Sequence, residues 1–384
     1  MTADGGPGSA SLASTVRTAA STATAAGAGV RVQPVALRCT AYGNPPQIAL
    51  AALPPLPAPG HGEVLIDVQC AALNFTDHLM MQGRYQERPA LPFTPGLDAG
   101  GTVRAVGSGV SDFAPGDRVV SSGVVGAYAS QLLAPAARLV RVPAGLAVAD
   151  AVASINSHLT AYHGLLDRAA LQACERVLVL GAGGAVGRAA VQLALHRGAA
   201  VFTVERVAGA TDASSSAGSS ADEAAADRDA TAAGPLVRLR DLSAGTERLV
   251  PFGELRSGLK DVLGARGADV VVDPIGDVWT EPAVRSLAWR GRLLVIGFAA
   301  GAIPSVPLNL LLLKGAGLLG VYCGGLLLQE PERFSEQLVG MFALMADSVL
   351  APSLHEAVSA RDFEQAWQRF SAGERRKLLF DFSV

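Results

Sequence analysis

Between Arg176 and Glu205 the spacing of apolar and polar positions dictates three elements. Val177–Leu180 is an unbroken apolar run, the mark of a strand buried on both faces. A glycine-rich turn follows. Small and apolar residues then recur at helical spacing from Val186 until Gly198 stops them. A second apolar run, Ala200–Val204, ends in Glu205. Strand, glycine turn, helix and acid-terminated strand are the sequence form of a βαβ dinucleotide-binding unit, which implies a nicotinamide or flavin cofactor.

The chemistry of that turn follows from its residues. The helix start has unpaired N–H groups and a partial positive charge, which suit a pyrophosphate. Ala182, Gly183, Gly184, Ala185, Val186 and Gly187 are the candidate contacts. Gly184 lets the backbone approach the phosphates, and Gly187 lets the helix pack close to the strand. Ala182 stands where the first glycine of G-x-G-x-x-G usually does. An ordinary strand–helix turn is the competing reading. The flanking strands and the terminal acid count against it.

Elsewhere the pattern changes twice. From Arg31 to about Asn156 short β-runs are punctuated by Pro and Gly, with strands expected at Val64–Cys70, Gly101–Val106, Arg118–Val120 and Leu139–Val142. From His158 helices and strands alternate. Six parallel strands are expected, at Val177–Leu180, Ala200–Val204, Leu236–Leu239, Val270–Val272, Arg292–Ile296 and Leu318–Tyr322. The fold class is therefore α/β: a mostly β domain plus a doubly wound parallel sheet. Residues 1–29 are Ala, Ser, Thr and Gly with few large apolar side chains, and should form a disordered tail. Ala208–Ser219 reads as an inserted flexible loop, and Asp222–Ala233, stopped by Gly234, as a helix. Pro331–Asp347 and Ala360–Phe370 read as helices and Leu378–Phe382 as a closing strand.

Residues 307–328 are apolar and nearly long enough to span a bilayer. Lys314, Asn309 and five glycines break the run, so a buried parallel strand at Leu318–Tyr322 is expected instead of a membrane helix. The chain has 384 residues, half of them hydrophobic and 17% charged, enough for two domains with a large core. A net charge of −3 gives no case for nucleic acid or an anionic membrane as partner. Cys39, Cys70, Cys174 and Cys323 are scattered, which argues against a disulfide framework and for a reducing, cytoplasmic compartment. Arg17 and Arg31, with hydroxyl residues between them, make a faint mitochondrial targeting signal that Asp4 weakens.

Several further segments carry a resemblance. Asn74-Phe-Thr-Asp77 precedes Gly83-Arg-Tyr85, and Pro92-Phe-Thr-Pro-Gly-Leu-Asp98 runs into Ala-Gly-Gly-Thr-Val103. Gly116–Val120, Leu159–His163, the turn ending at Gly187, Gly267–Gly276 and Gly291–Phe298 follow in order. Together they resemble the medium-chain dehydrogenase/reductase superfamily in its zinc-free, zeta-crystallin-like quinone oxidoreductase branch. The resemblance implies a GroES-like catalytic domain over 31–157, completed by 330–384, and a Rossmann domain over 158–329. Residues 1–30 stay a tail. It also implies a homodimer, to which the apolar stretch at 307–328 is the candidate contact.

Zinc-dependent relatives carry a cysteine where this chain has Asn74, and Gly-His-Glu where it has Gly96-Leu97-Asp98. No metal is therefore expected. A quinone or α,β-unsaturated carbonyl accepts a hydride without a Lewis acid, because the acceptor itself delocalises the charge. By resemblance Asn74, Asp77, Tyr85 and Thr160 line the catalytic end, with the Tyr85 hydroxyl a candidate donor to the acceptor oxygen. Gly297, Phe298, Val321 and Tyr322 pass beside the nicotinamide. For Asn74 and Asp77, capping of a helix through Met81 is the alternative. Cys323, His78, His158 and His163 are read as packing residues.

The nucleotide is less determined. Glu205 favours a free ribose 2′-hydroxyl and hence NADH, whereas Arg206, Arg238 and Arg240 are available to a 2′-phosphate. The resemblance favours NADPH. Two alternatives to the quinone reductase stay open: an enoyl-thioester reductase, and a non-catalytic nucleotide-binding protein with a structural or RNA-associated role.

Overall fold

The computed structural model describes residues 33–85, 88–207 and 235–382. The expected tail, the insert at 208–219 and the helix at 222–233 lie outside them.

The N-terminal half is β-rich because its apolar positions alternate. β1 (Val35–Ala41) and β2 (Gln47–Ala52) form a separate hairpin. β3 (Glu63–Ala72) is the centre of the first sheet and is flanked by β4 (Asp98–Val106) and β6 (Gln131–Pro135), both antiparallel to it. The short α1 (Phe75–Met81) follows β3, and β5 (Arg118–Ser122) and β7 (Leu139–Arg141) extend the sheet beyond β4. The four expected runs are thus β3, β4, β5 and β7.

α2 (Val148–Tyr162) leads into the second sheet, of order β11-β10-β9-β8-β12-β13-β14. Its first half is β8 (Arg176–Leu180), α3 (Ala185–His196), β9 (Ala200–Arg206), β10 (Leu236–Asp241) and β11 (Thr246–Pro251). Its second half is α4 (Leu255–Leu263), β12 (Ala268–Asp273), α5 (Thr280–Arg285), β13 (Leu287–Val295), α6 (Asn309–Lys314) and β14 (Gly317–Gly320). β9, β8, β12, β13 and β14 are parallel. The chain leaves β8 towards β9 and returns to β12 on β8's other side. Such a switch point opens a crevice at the carboxyl ends of the strands.

Two expectations need correction. β10 runs antiparallel to β9 and makes a hairpin with β11, so five strands are parallel, not six. Its Val237 and Leu239 are buried while Arg238 and Arg240 are half-exposed, the one-sided alternation of an antiparallel edge. Leu318–Tyr322 is not a buried strand. β14 is an edge strand covering only Gly317–Gly320, Leu318 is 37% exposed and Tyr322 57%. The rest of 307–328 divides between α6 and α7 (Cys323–Gln329). No helix among the described residues is long and apolar enough to cross a membrane.

α8 (Pro331–Ala346) packs on α2. The chain then returns to the first sheet through β15 (His355–Ser359), α9 (Phe363–Ser371) and β16 (Lys377–Asp381). β16 pairs antiparallel with β3 at Leu379–Ala72. α2 lies between the sheets, touching β3, β4 and β5 on one side and α3 and α8 on the other. One apolar core therefore runs from Ala72 and Val120 of the first sheet to Val177 and Val270 of the second. That shared core fixes the cleft between the sheets.

Candidate active site

The glycine turn sits at the switch point, with its geometry set by close packing. A Cβ on Gly187 would lie 2.3 Å from the Gly181 carbonyl oxygen, so only glycine lets α3 start this near β8. Gly181 itself has φ +65°. At Gly183 the only neighbour a Cβ would meet is the Glu205 carboxyl carbon, 3.9 Å away. The acid at the end of β9 therefore overhangs an otherwise open turn. Next to it, the Asp273 carboxylate accepts N–H bonds from Ile275 (3.0 Å) and Gly276 (2.8 Å), which shapes the turn after β12. Gly276 in turn backs onto Phe298.

Because the central strands are parallel, their carboxyl ends share one edge. Residues 182–187, Gly297–Phe298 and Val321–Tyr322 all lie along it. Val321 is buried, with its N–H on the Val295 carbonyl, and Phe298 is 39% exposed.

Facing this edge is a cavity of about 270 Å³, lined on one wall by Gly183, Gly184 and Ala185 and on the other by Leu73, Arg375 and Lys377. Arg375 has no ion pair among the described residues. Arg376 is tied to Glu374 and Glu356. Glu374 is held down to about 2 by hydrogen bonds from Arg369 and from Arg376. A helix N-terminus opposite Arg375, with Lys377 beside it, fits a dianionic pyrophosphate.

Behind Lys377 lies a buried polar cluster. The Lys377 ammonium donates to Asn74 Oδ1 at 2.8 Å. Asn74 Nδ2 donates to Asp98 Oδ2 at 2.8 Å, and the Ser122 hydroxyl donates to Asp98 Oδ1 at 2.7 Å. Asp77 Oδ2 accepts the Asn74 N–H (2.9 Å) and the Tyr128 hydroxyl (3.0 Å), while Asp77 Oδ1 has no partner. Burial and the nearby Asp98 charge push Asp77 up to about 7. Burial also raises Asp98, against hydrogen bonds from Ser122 and Asn74 and the Lys377 charge, and it lowers Lys377.

The expected catalytic residues divide accordingly. Asn74 and Asp77 come together, and the cap reading holds for Asp77. Both ends of the Asn74 amide are occupied, so Asn74 sets the position of Lys377 and Asp98. Thr160 gives its hydroxyl proton to the Asn156 carbonyl (2.6 Å) and lies 3.6 Å from the Cys323 sulfur. Burial raises that thiol to about 11, which keeps it protonated. Tyr85 is half-buried against Cys39, Met80 and Phe93. Neither Thr160 nor Tyr85 lines the cavity beside the glycine turn. At the nucleotide end, Arg238 lies opposite Glu205 on β10, and Arg238 and Arg240 both bind Glu247 (3.0 and 2.8 Å). Arg206 is exposed. Sequence reasoning missed Lys377, Ser122, Tyr128 and Arg375. Asp98 stood in a quoted motif and as a departure from metal ligands, but was given no role in the site.

Fold and cleft define a two-domain oxidoreductase that uses a nicotinamide nucleotide. Residues 60–144 match the alcohol dehydrogenase GroES-like domain, and 185–343 match the zinc-binding dehydrogenase family. Quinone oxidoreductase-like protein 2 of Rattus norvegicus is 35% identical over 301 residues, 78% of each chain. Quinone oxidoreductase of Lama guanicoe is 32% identical over 265 residues, 68% of this chain and 72% of its own. The solved structure of a mycobacterial protein complexed with NADPH superposes with a TM-score of 0.71 at 26% identity, covering 91% of this chain and 99% of that one. The chain belongs to the medium-chain dehydrogenase/reductase superfamily, in its quinone oxidoreductase branch.

Proposed function

We propose that the chain is an NADPH-dependent reductase of quinones or α,β-unsaturated carbonyls that works by direct hydride transfer, without a catalytic metal. The observation that carries this reading is the Lys377–Asn74–Asp98 cluster. Where a metal ion would need soft or imidazole donors, the site has an amide and a carboxylate already balanced by an ammonium. Among the described residues no three His, Cys, Asp or Glu side chains are grouped to hold a metal. The NADPH complex of a structural neighbour and the quinone activity in relatives' names support the choice of cofactor and acceptor.

The α3 N–H groups and Arg375 would hold the phosphates of a nicotinamide nucleotide, which when reduced would supply the hydride. Lys377, its charge offset by Asp98, lines the cleft opposite the glycine turn and belongs to the phosphate wall. The Thr160 proton is already given to the Asn156 carbonyl; by the family resemblance the Tyr85 hydroxyl is the candidate donor to the acceptor oxygen. A second copy of the chain is the partner we assign to the apolar face of Trp289, Leu308, Leu312 and Leu313, each at least 70% exposed.

The test follows the nicotinamide absorbance with 1,4-naphthoquinone and with a simple enone, in metal-free buffer. Turnover with NADPH and no loss on chelation is expected. Turnover that tracks bound metal, or nucleotide binding without oxidation by either acceptor, overturns the reading.

A further inference from the structure

The Asp77–Asp98–Lys377 cluster is more ionisable than hydride transfer requires. It places two buried carboxyl groups beside one ammonium. Asp98 uses both oxygens, whereas Asp77 accepts the Asn74 N–H and the Tyr128 hydroxyl on Oδ2 alone and its buried Oδ1 has no donor, so a second carboxylate is only half satisfied here. With one proton on Asp77 the cluster is neutral. Lys377 also lines the cavity opposite the glycine turn, so a pyrophosphate there brings negative charge up against the same cluster. Added negative charge raises the proton affinity of a buried carboxyl group.

We propose that this cluster is a proton-linked part of the nucleotide site, taking up one proton on Asp77 as the nucleotide phosphates enter. The proposal rests on the nucleotide cleft described above. Mass and charge balance simply: protein, nucleotide and one proton give the protonated complex, with no bond made or broken in the nucleotide. Asp77 at about 7 in the free protein leaves room for uptake in mildly alkaline solution.

The groups facing Asp77 are few. β4 and β5 present Asp98 and Ser122, β16 presents Lys377, and Tyr128 donates from the segment before β6. On α1 itself, His78 is stacked on Trp367 and is kept neutral by burial. On β3, burial pushes the Cys70 thiol up to about 12. Across the cavity, Glu374 is clamped by Arg369.

The experiment is calorimetric titration of the full chain with NADPH at pH 8, in phosphate and in Tris, whose ionisation heats differ. At that pH a 2′-phosphate is already fully ionised. Uptake of about 0.5–1 proton is expected in the wild type. Asp77→Asn should bind NADPH with no buffer-dependent heat. Should that variant fold poorly, two further measurements carry the test. Asp98→Asn should cut the uptake at least twofold, and wild-type affinity should fall as pH rises from 7 to 9. Binding heats equal in the two buffers, or full uptake in both variants, overturns the proposal alone. Absence of binding to NADPH and NADH overturns the nucleotide reading with it.

Discussion

The glycine turn and the Lys377 cluster face the same cavity but are built in opposite ways. The turn is contiguous: Gly181 to Gly187 follow one another between a strand and a helix, and the backbone does the work. The cluster is assembled from Asn74, Asp77, Asp98, Ser122 and Lys377, on four elements (α1 with its N-cap, β4, β5 and β16), and its side chains do the work. Local geometry can place N–H groups for phosphates. A charge buried between sheets needs partners from distant parts of the chain, because each must satisfy the others. The comparison suggests that the first wall should fail by steric strain and the second by loss of charge balance.

The sharpest break on the contiguous side is Gly187→Val. Its Cβ would fall 2.3 Å from a backbone oxygen that cannot move without unseating β8. We expect a loss of at least about 3 kcal/mol in urea unfolding, with nucleotide binding abolished. Wild-type stability would mean that α3 and β8 are not packed as described. On the assembled side, Lys377→Met leaves Asp98 and the Asn74 oxygen without their cation. A loss of about 2–3 kcal/mol is expected, with NADPH affinity at least tenfold weaker. Lys377→Arg should recover part of both. Equal behaviour of the two variants would remove charge from the explanation.

The same contrast explains what was legible in the sequence. The turn announced itself because its residues are adjacent and its glycines answer one steric demand. Asn74 and Asp77 were legible as a pair through their i, i+3 spacing, although whether they cap or catalyse was not. Lys377 sits 303 residues from Asn74 and is joined to it only by the pairing of β16 with β3. No local pattern marks such a partner. The antiparallel β10 was misread because a short run of Leu, Val and Arg does not declare its direction. The hairpin turn, where Asp241 accepts from Ser243 and Ala244, lay beyond the run considered.

The charge side can be sharpened by pH. Asp77 sits at about 7 in the folded protein, above its unfolded value of about 3.9. The folded state therefore binds the extra proton between those values, and this group's contribution to stability declines as pH rises through the window. The slope is at most about 1.4 kcal/mol per pH unit. Asp77→Asn should remove that decline, so the variant gains on the wild type between pH 5 and pH 8. Parallel stability profiles would show that Asp77 is not protonated in the fold.

The smallest expected effect lies where the two modes of construction meet, at the end of β9. Glu205 belongs to the contiguous unit, yet the residues around it come from the β10–β11 hairpin. Its carboxyl overhangs Gly183, where it would accept a ribose hydroxyl and repel a 2′-phosphate. Arg238 and Arg240 are committed to Glu247, which leaves the exposed Arg206 as the readier cation for that phosphate. Glu205→Ser should shift the ratio of NADPH to NADH affinity about tenfold towards NADPH, or about 1.4 kcal/mol. Arg206→Ala should shift it a few-fold the other way. Fluorescence titration with both nucleotides measures each ratio. An unchanged ratio in Glu205→Ser would mean that the acid serves the turn and not the ribose. Specificity would then have to come from the hairpin arginines, and Glu247→Gln, by releasing them, would become the variant that moves it.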